Sequence, residues 1–146
     1  MDYAYQGHHP STQLAAMVAQ TNATHIAEDP WFTDSGANQH ITANLEQLTL
    51  AQPYTGQEHV AVGNGQCLNI KNTGSIVLHT PTSSLKLSHI LHCPQASANL
   101  LSTNQFCLDN HSFFILIASH YFVKDNHTGK TLLEGQSNGG LYPINL

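Results

Sequence analysis

Apolar residues in this chain occur in short runs separated by turn-forming residues, a pattern typical of β-strands. From residue 31 onward, apolar and polar positions alternate often enough to predict a series of short strands. They are predicted near residues 31–33, 60–62, 68–70, 75–79, 85–93, 113–117, 121–123 and 131–133. Many short strands at regular spacing, accompanied by one short helix, predict an all-β barrel or sandwich.

Turn-forming residues divide the predicted strands. Gly63-Asn64-Gly65 predicts a hairpin, because glycine and asparagine tolerate a positive φ. Residues 125–129 predict a second hairpin for the same reason. A short helix is predicted through residues 104–108, with either Ser102 or Thr103 as its N-cap.

The longest predicted strand covers residues 85–93. Strict alternation predicts that five side chains share one face of this strand: Leu85, Leu87, His89, Leu91 and Cys93. Ile90 is predicted to face the other way. Alternation also separates His89 from His92, and no Cys-x-x-Cys pair accompanies them, so a zinc site is not expected here. We therefore predict no metal and no cofactor.

Residues 1–29 show no clear periodicity and are interpreted as a linker or N-terminal arm. Pro30 marks the boundary of the β-rich region. A chain of 146 residues is long enough to bury one core, so a single domain with an appendage is expected.

Composition narrows the classes of partner. Four lysines, no arginine and a formal charge of −5 argue against a nucleic-acid-binding surface, which needs clustered basic residues. No apolar run is long enough to span a membrane, and the N-terminus lacks the features of a secretory signal. Cys67, Cys93 and Cys107 are odd in number and widely spaced, so they are interpreted as reduced thiols of a cytoplasmic protein.

The most distinctive stretch is Trp31–Ala37, a short apolar strand that runs into Asp34, Ser35, Gly36 and Ala37. Small residues allow a substrate or a second backbone to approach the carboxylate closely. A carboxylate in such a place is suited to acid/base chemistry. An Asp-Ser-Gly triplet is also an ordinary turn, so the triplet alone leaves both interpretations open.

Two later motifs follow this stretch in a characteristic order. They are the glycine-tipped hairpin at residues 60–65 and the run from Ile90 to Pro94 that leads to Asn99–Ser102 and the short helix. Together the motifs resemble a retroviral-type aspartic protease protomer, and most closely the protease of copia-type LTR retrotransposon Gag-Pol polyproteins. The signature Trp-x-x-Asp-Ser-Gly-Ala-x-x-His-Ile-Thr of that family is matched by Trp31, Asp34, Ser35, Gly36, Ala37, His40, Ile41 and Thr42.

The resemblance implies a retropepsin-like closed barrel with a flap hairpin and one short helix. It further implies an aspartic endopeptidase in which Asp34 is catalytic and its neighbours Ser35, Gly36 and Ala37 support the active site. The substrate-binding flap would consist of Val62, Gly63, Asn64 and Gly65. The protease domain would cover residues 30–120, and residues 121–146 would form a C-terminal hairpin and the start of a pre-integrase segment.

The same resemblance implies a homodimer. Each chain has a single Asp-Ser-Gly triplet, whereas the mechanism needs two carboxylates, so Asp34 of two copies would form the dyad. The expected substrate is a polypeptide, namely the Gag-Pol polyprotein itself. An active element would carry the enzyme in cytoplasmic virus-like particles, without binding of nucleic acid or membrane by this domain.

The sequence departs from the retroviral pattern at a pair of interacting positions and at Ser102, where the pattern has glycine. Retroviral enzymes pair an acidic residue after the catalytic loop with an arginine before the helix, where this chain has Asn38 and Thr103. We expect a neutral hydrogen-bonded contact in place of the ion pair. His40 is interpreted as a packed residue beside the catalytic strand, with direct catalysis as the less favoured role, because two carboxylates suffice for the reaction.

Two alternative functions remain from the sequence. Ser35 as a nucleophile is disfavoured, because the Gly-x-Ser-x-Gly elbow is absent. The more serious alternative is a catalytically silent retropepsin-like module that serves for dimerisation or peptide binding in a domesticated transposon protein. The intact Asp34-Ser35-Gly36 triplet favours the enzyme.

Overall fold

The computed structural model describes residues 29–145, so the predicted N-terminal arm lies outside the described residues except for Asp29. The first strands in this range are β1 (Trp31–Asp34), β2 (Ile41–Thr42), β3 (Leu50–Pro53), β4 (His59–Ala61), β5 (Cys67–Asn69) and β6 (Asn72–His79). They are followed by β7 (Ser84–His92), β8 (Asn99–Ser102), helix α1 (Thr103–Asn110), β9 (Ser112–Leu116), β10 (His120–Asp125), β11 (Thr131–Gln136) and β12 (Pro143–Ile144). A 3₁₀ turn at Leu45–Gln47 connects β2 to β3.

The strands form three sheets. The largest has seven strands in the order β12-β1-β8-β2-β7-β6-β3, a second has the order β11-β10-β9, and β4 pairs with β5 alone. Within residues 29–145, the prediction of an all-β fold with one short α-helix is confirmed. Strands β12 and β3 are the two edges of the large sheet and do not pair with each other, so this sheet is open. A closed barrel was expected.

Two parallel pairings bring the motif-bearing strands together. β1 runs parallel to β8, with Asp34 opposite Ser102, and β2 runs parallel to β7. β2 also pairs with β8 through Ile41 and Leu100. The Asp-Ser-Gly strand and the Asn-Leu-Leu-Ser strand are therefore direct neighbours, although a long stretch of sequence separates them.

A β-bulge interrupts the alternation of β7. Gly74 pairs with Ile90 and Ile76 pairs with Leu87, so two residues of β7 face only one of β6 between these pairs. His89 has a φ of 58° and an exposed side chain at this point. The predicted single face for the whole strand is wrong, because the extra residue turns Ile90 inward while His89 points to solvent.

The main core lies between the large sheet, helix α1 and the three-stranded sheet. Its fully or largely buried members are Trp31, Ile76, Leu85, Leu87, Ile90, Leu101, Phe106, Tyr121, Val123 and Ile144. Strands before and after residue 121 thus contribute to one core, and β12 pairs directly with β1. The predicted domain boundary at residue 121 stays a prediction.

Helix α1 is hydrogen-bonded to β8 at its start and to β7 at its end. The Ser102 hydroxyl accepts a hydrogen bond from the Gln105 amide at 3.2 Å, so Ser102 is the N-cap of the two predicted candidates. At the other end, Asn110 exchanges two hydrogen bonds with the backbone of Lys86, at 2.7 and 2.8 Å. No helix among residues 29–145 is long and apolar enough to cross a membrane.

Candidate active site

The Asp34 carboxylate lies in a tight turn at the end of β1. Its Oδ1 accepts a hydrogen bond from the Gly36 amide at 2.8 Å, and its backbone oxygen accepts one from the Ala37 amide at 3.3 Å. A Cβ atom at position 36 would lie 3.3 Å from the same Oδ1, a tight contact that would require the carboxylate to shift slightly. The predicted turn is therefore present, and it also holds the carboxylate in one orientation.

Asp34 opens into a cleft of about 520 Å³. Its lining includes Asp34, Gly36 and Ala37, together with the segment Glu58–Val62 of the β4–β5 hairpin. Aliphatic residues complete the wall: Ile41, Ile70, Leu91 and Leu100. The structure thus brings together the catalytic-loop candidates and one strand of the predicted flap, whereas Ser35 is exposed beside the cleft.

The predicted hairpin is confirmed around Gly63-Asn64-Gly65. The Gly65 amide donates to the Val62 oxygen and the Val62 amide donates to the Gln66 oxygen, both at 3.0 Å. Gly65 has a φ of 88°, the left-handed conformation that favours glycine. Val62 lines the cleft, while Asn64 and Gly65 are exposed at the tip.

Strand β5 of the hairpin packs against β2, the strand that follows the Asp-Ser-Gly turn. Leu68 is 7% exposed and forms a small apolar cluster with Ile41 and Cys93. A second cavity of about 100 Å³ lies between the hairpin and residues 95–98. Burial raises the pKa of the Cys93 thiol to about 11, so this cysteine acts as an apolar core residue.

His40, the residue immediately before β2, is completely buried. Its Nδ1 accepts a hydrogen bond from the Ser102 amide at 3.0 Å, and its backbone oxygen accepts one from the Leu91 amide at 2.9 Å. Burial lowers the pKa of the imidazole to about 4, which keeps the ring neutral at physiological pH. The prediction that His40 is a packed residue is confirmed, while its having no direct part in catalysis stays a prediction.

The expected contact between Asn38 and Thr103 is not formed. Asn38 is exposed, and the Thr103 hydroxyl is buried without a hydrogen-bond partner among the described residues. Instead, the hydrogen bond from the Ser102 amide to His40 joins the residue before β2 to the N-cap of α1. A neutral link therefore exists near the expected place, but it joins Ser102 to His40 and not Thr103 to Asn38.

Thr42 and Asn99, both part of the sequence motifs, form a buried link across the sheet. The Thr42 hydroxyl donates to Asn99 Oδ1 at 2.6 Å, and the Asn99 amide group donates to the backbone oxygen of Asp29 at 3.0 Å. This link ties β2, β8 and the chain entering β1 together. It accounts for polar residues at positions that face the core.

Asp109 on α1 is a structural residue that sequence reasoning missed. Its Oδ2 accepts hydrogen bonds from the Ser88 hydroxyl at 2.6 Å and the Ser88 amide at 3.0 Å, and its Oδ1 accepts one from Gln105. Burial opposes ionisation, but these bonds together hold the pKa of Asp109 below its usual value. No local pattern marks this contact, because the two residues are far apart in sequence.

The family comparison identifies the class of domain. Residues 31–112 match the family model described as "Pol polyprotein, beta-barrel domain", and the chain belongs to this family. Within the described residues, no group of three or more His, Cys, Asp or Glu side chains is placed to hold a metal ion.

Two curated relatives from Arabidopsis thaliana are retrovirus-related Pol polyproteins, from transposons RE1 and RE2. They are 39% and 38% identical to this chain over 112 residues, which cover 77% of the chain and 8% of each relative. The chain therefore corresponds to a small part of these polyproteins. No solved structure matches it.

Proposed function

We propose that this chain is the protomer of a copia-type aspartic endopeptidase that acts as a homodimer on its own Gag-Pol polyprotein. The observation that carries the proposal is the position of Asp34, whose carboxylate accepts a hydrogen bond from the Gly36 amide and lines a cleft together with a hairpin. Membership in the Pol β-barrel family supports the polyprotein context.

The reaction requires two carboxylates that share one proton. One acts as general base on a water molecule while the other protonates the carbonyl oxygen of the scissile bond. Carboxylates about 3 Å apart cannot both ionise, so the pair titrates as one unit. The second Asp34 comes from a second chain, and the exposed Ser35 hydroxyl is accessible for a hydrogen bond between the two loops.

The hairpin is suited to hold an extended peptide. Strand β4 pairs only with β5, so its other edge can pair with a substrate strand above Asp34. Val60 and Val62 line the cleft on this side and would contact substrate side chains. Closure of such a hairpin excludes water from the reacting carbonyl group.

Cleavage assays with Asp34→Asn and Glu58→Gln test the mechanism. Glu58 is the matched control, because it is the other carboxylate that lines the cleft. We expect Asp34→Asn to lower kcat by roughly 10³-fold or more and to abolish inhibition by pepstatin, while Glu58→Gln retains most activity. Equal activity of Asp34→Asn and the wild type would contradict the catalytic role, and a folded but inactive wild type would favour the silent module.

Sedimentation tests the homodimer separately. We expect a dimer at every protein concentration that supports cleavage, and activity that falls steeply when dilution dissociates it. A monomer that cleaves substrate would contradict the shared dyad. If Glu58→Gln were as inactive as Asp34→Asn, the two carboxylates would belong to one chain, and the proposed symmetry would be wrong.

A further inference from the structure

We propose that His40 is a positioning residue for Asp34, because its ring fixes the end of β8 that lies beside the carboxylate. The inference rests on the proposed function for its effect on catalysis, but the contact itself does not. His40 touches neither the cleft nor a substrate, so its role is distinct from that of the acid/base pair.

The hydrogen bond to Ser102 defines the chemical state of the ring. A backbone amide can only donate, so Nδ1 of His40 must carry a lone pair, and the neutral ring must carry its proton on Nε2. Nε2 is buried without a partner among the described residues. A protonated ring would place two donors against each other at Ser102, and this contact would be lost.

Ser102 is the point at which three elements meet. It lies opposite Asp34 in the parallel pairing of β1 and β8, and its hydroxyl caps helix α1 through the Gln105 amide. The His40 ring therefore joins β2 to the end of β8, while its backbone oxygen joins β2 to β7 through Leu91. Removal of the ring acceptor would release the residue that lies alongside Asp34.

The charged and titratable groups near the His40 ring do not replace its hydrogen bond with the Ser102 amide. Asp109 on α1 favours a charged ring and His89 on β7 opposes it, but both act at a distance and without a hydrogen bond to His40. The Asp109 carboxylate is already occupied by Ser88 and Gln105. The hydrogen bond with Ser102 thus orients the His40 ring.

Two substitutions separate the acceptor from the bulk of the side chain. His40→Asn keeps an acceptor at the δ position, where it can still bind the Ser102 amide, whereas His40→Leu fills space without an acceptor. We expect His40→Leu to lower kcat by roughly 10²-fold with KM changed by less than about twofold, because misplacement of a reacting group mainly affects the chemical step. His40→Asn should recover most of the lost kcat.

The outcomes distinguish positioning from packing. Equal kcat losses in both variants, or a loss confined to KM, would overturn the proposal. If His40→Leu does not fold, ¹⁵N NMR of the wild type still decides: Nδ1 of His40 should be unprotonated and coupled to the Ser102 amide. A protonated Nδ1 would overturn the inference, while inactivity of the wild type would overturn only the proposed function.

Discussion

A buried neutral histidine makes the stability of this domain depend on pH. The pKa of His40 is about 4 in the folded chain, against 6.5 for an unperturbed histidine, because burial disfavours the charged ring. Between these values the unfolded chain binds a proton that the folded chain does not. The contribution of His40 to stability is therefore complete above pH 6.5 and is lost as the pH falls towards 4.

Urea unfolding at pH 7, 5.5 and 4 measures this effect. We expect His40 to account for a loss on the order of 3 kcal/mol across that range, since each unit of pKa shift corresponds to about 1.4 kcal/mol. His40→Leu should show a clearly flatter pH dependence, provided that it folds. The same slope in both proteins would mean that other groups cause the acid sensitivity.

At the scale of single residues, the sequence predicts contacts only over short distances. The Gly36 amide is two positions from Asp34, so the Asp-Ser-Gly triplet already indicates that bond. The contacts of His40 with Ser102 and of Asp109 with Ser88 depend on pairing between distant strands. Neither pairing can be read from residue types, and the contact expected between Asn38 and Thr103 rested on the retroviral pattern alone.

At the scale of elements, turns were easier to predict than strand faces. Both glycine-containing hairpins occur where the turn-forming residues indicated them, and in each hairpin it is the glycine, Gly65 or Gly129, that adopts the positive φ. The bulge in β7 was missed, because alternation has no signal for one inserted residue. The Ser88 amide at the bulge is satisfied by Asp109, a partner that comes from another element.

Two glycine substitutions test the hairpin above Asp34. Gly65 and Gly129 have φ values of 88° and 71°, and a Cβ atom would meet nothing within 4 Å at either site. Alanine at each position should therefore cost a similar amount of stability, about 1 kcal/mol. We expect only Gly65→Ala to alter peptide cleavage, with a several-fold higher KM.

Gly129→Ala is the matched control, since its hairpin connects β10 and β11, away from the cleft. Chemical denaturation and cleavage kinetics on both variants supply the comparison. A parallel rise of KM in the two proteins would show that general destabilisation, and not the hairpin tip, controls substrate binding.

At the scale of the whole molecule, the core extends beyond the part that defines the family. The family match ends at residue 112, yet Tyr121, Val123 and Ile144 pack with Trp31 in the main core. The sequence predicted the strands that carry these residues, because their patterns are local. It could not predict their pairing order or the parallel contact of β1 with β8, because period-two patterns do not encode the neighbour of a strand.

Val123→Ala tests whether this late segment belongs to one cooperative unit. Val123 is 0% exposed, so its truncation leaves a cavity and should cost about 2 kcal/mol or more in urea unfolding. Val77→Ala is the control, because Val77 is 44% exposed and its loss should cost less than about 0.5 kcal/mol. Separate transitions by tryptophan fluorescence, which reports on Trp31, and by circular dichroism would contradict a single unit.

The position of β1 between β8 and β12 has a consequence for the timing of synthesis. Of the described strands, β1 is synthesised first, but both strands that pair with it emerge much later, and Ile144 is among the last of the described residues. A nascent chain cannot hold Trp31 in its core position until those strands are available. Strand β1, which ends at Asp34, therefore obtains both of its sheet neighbours only after translation has passed residue 144.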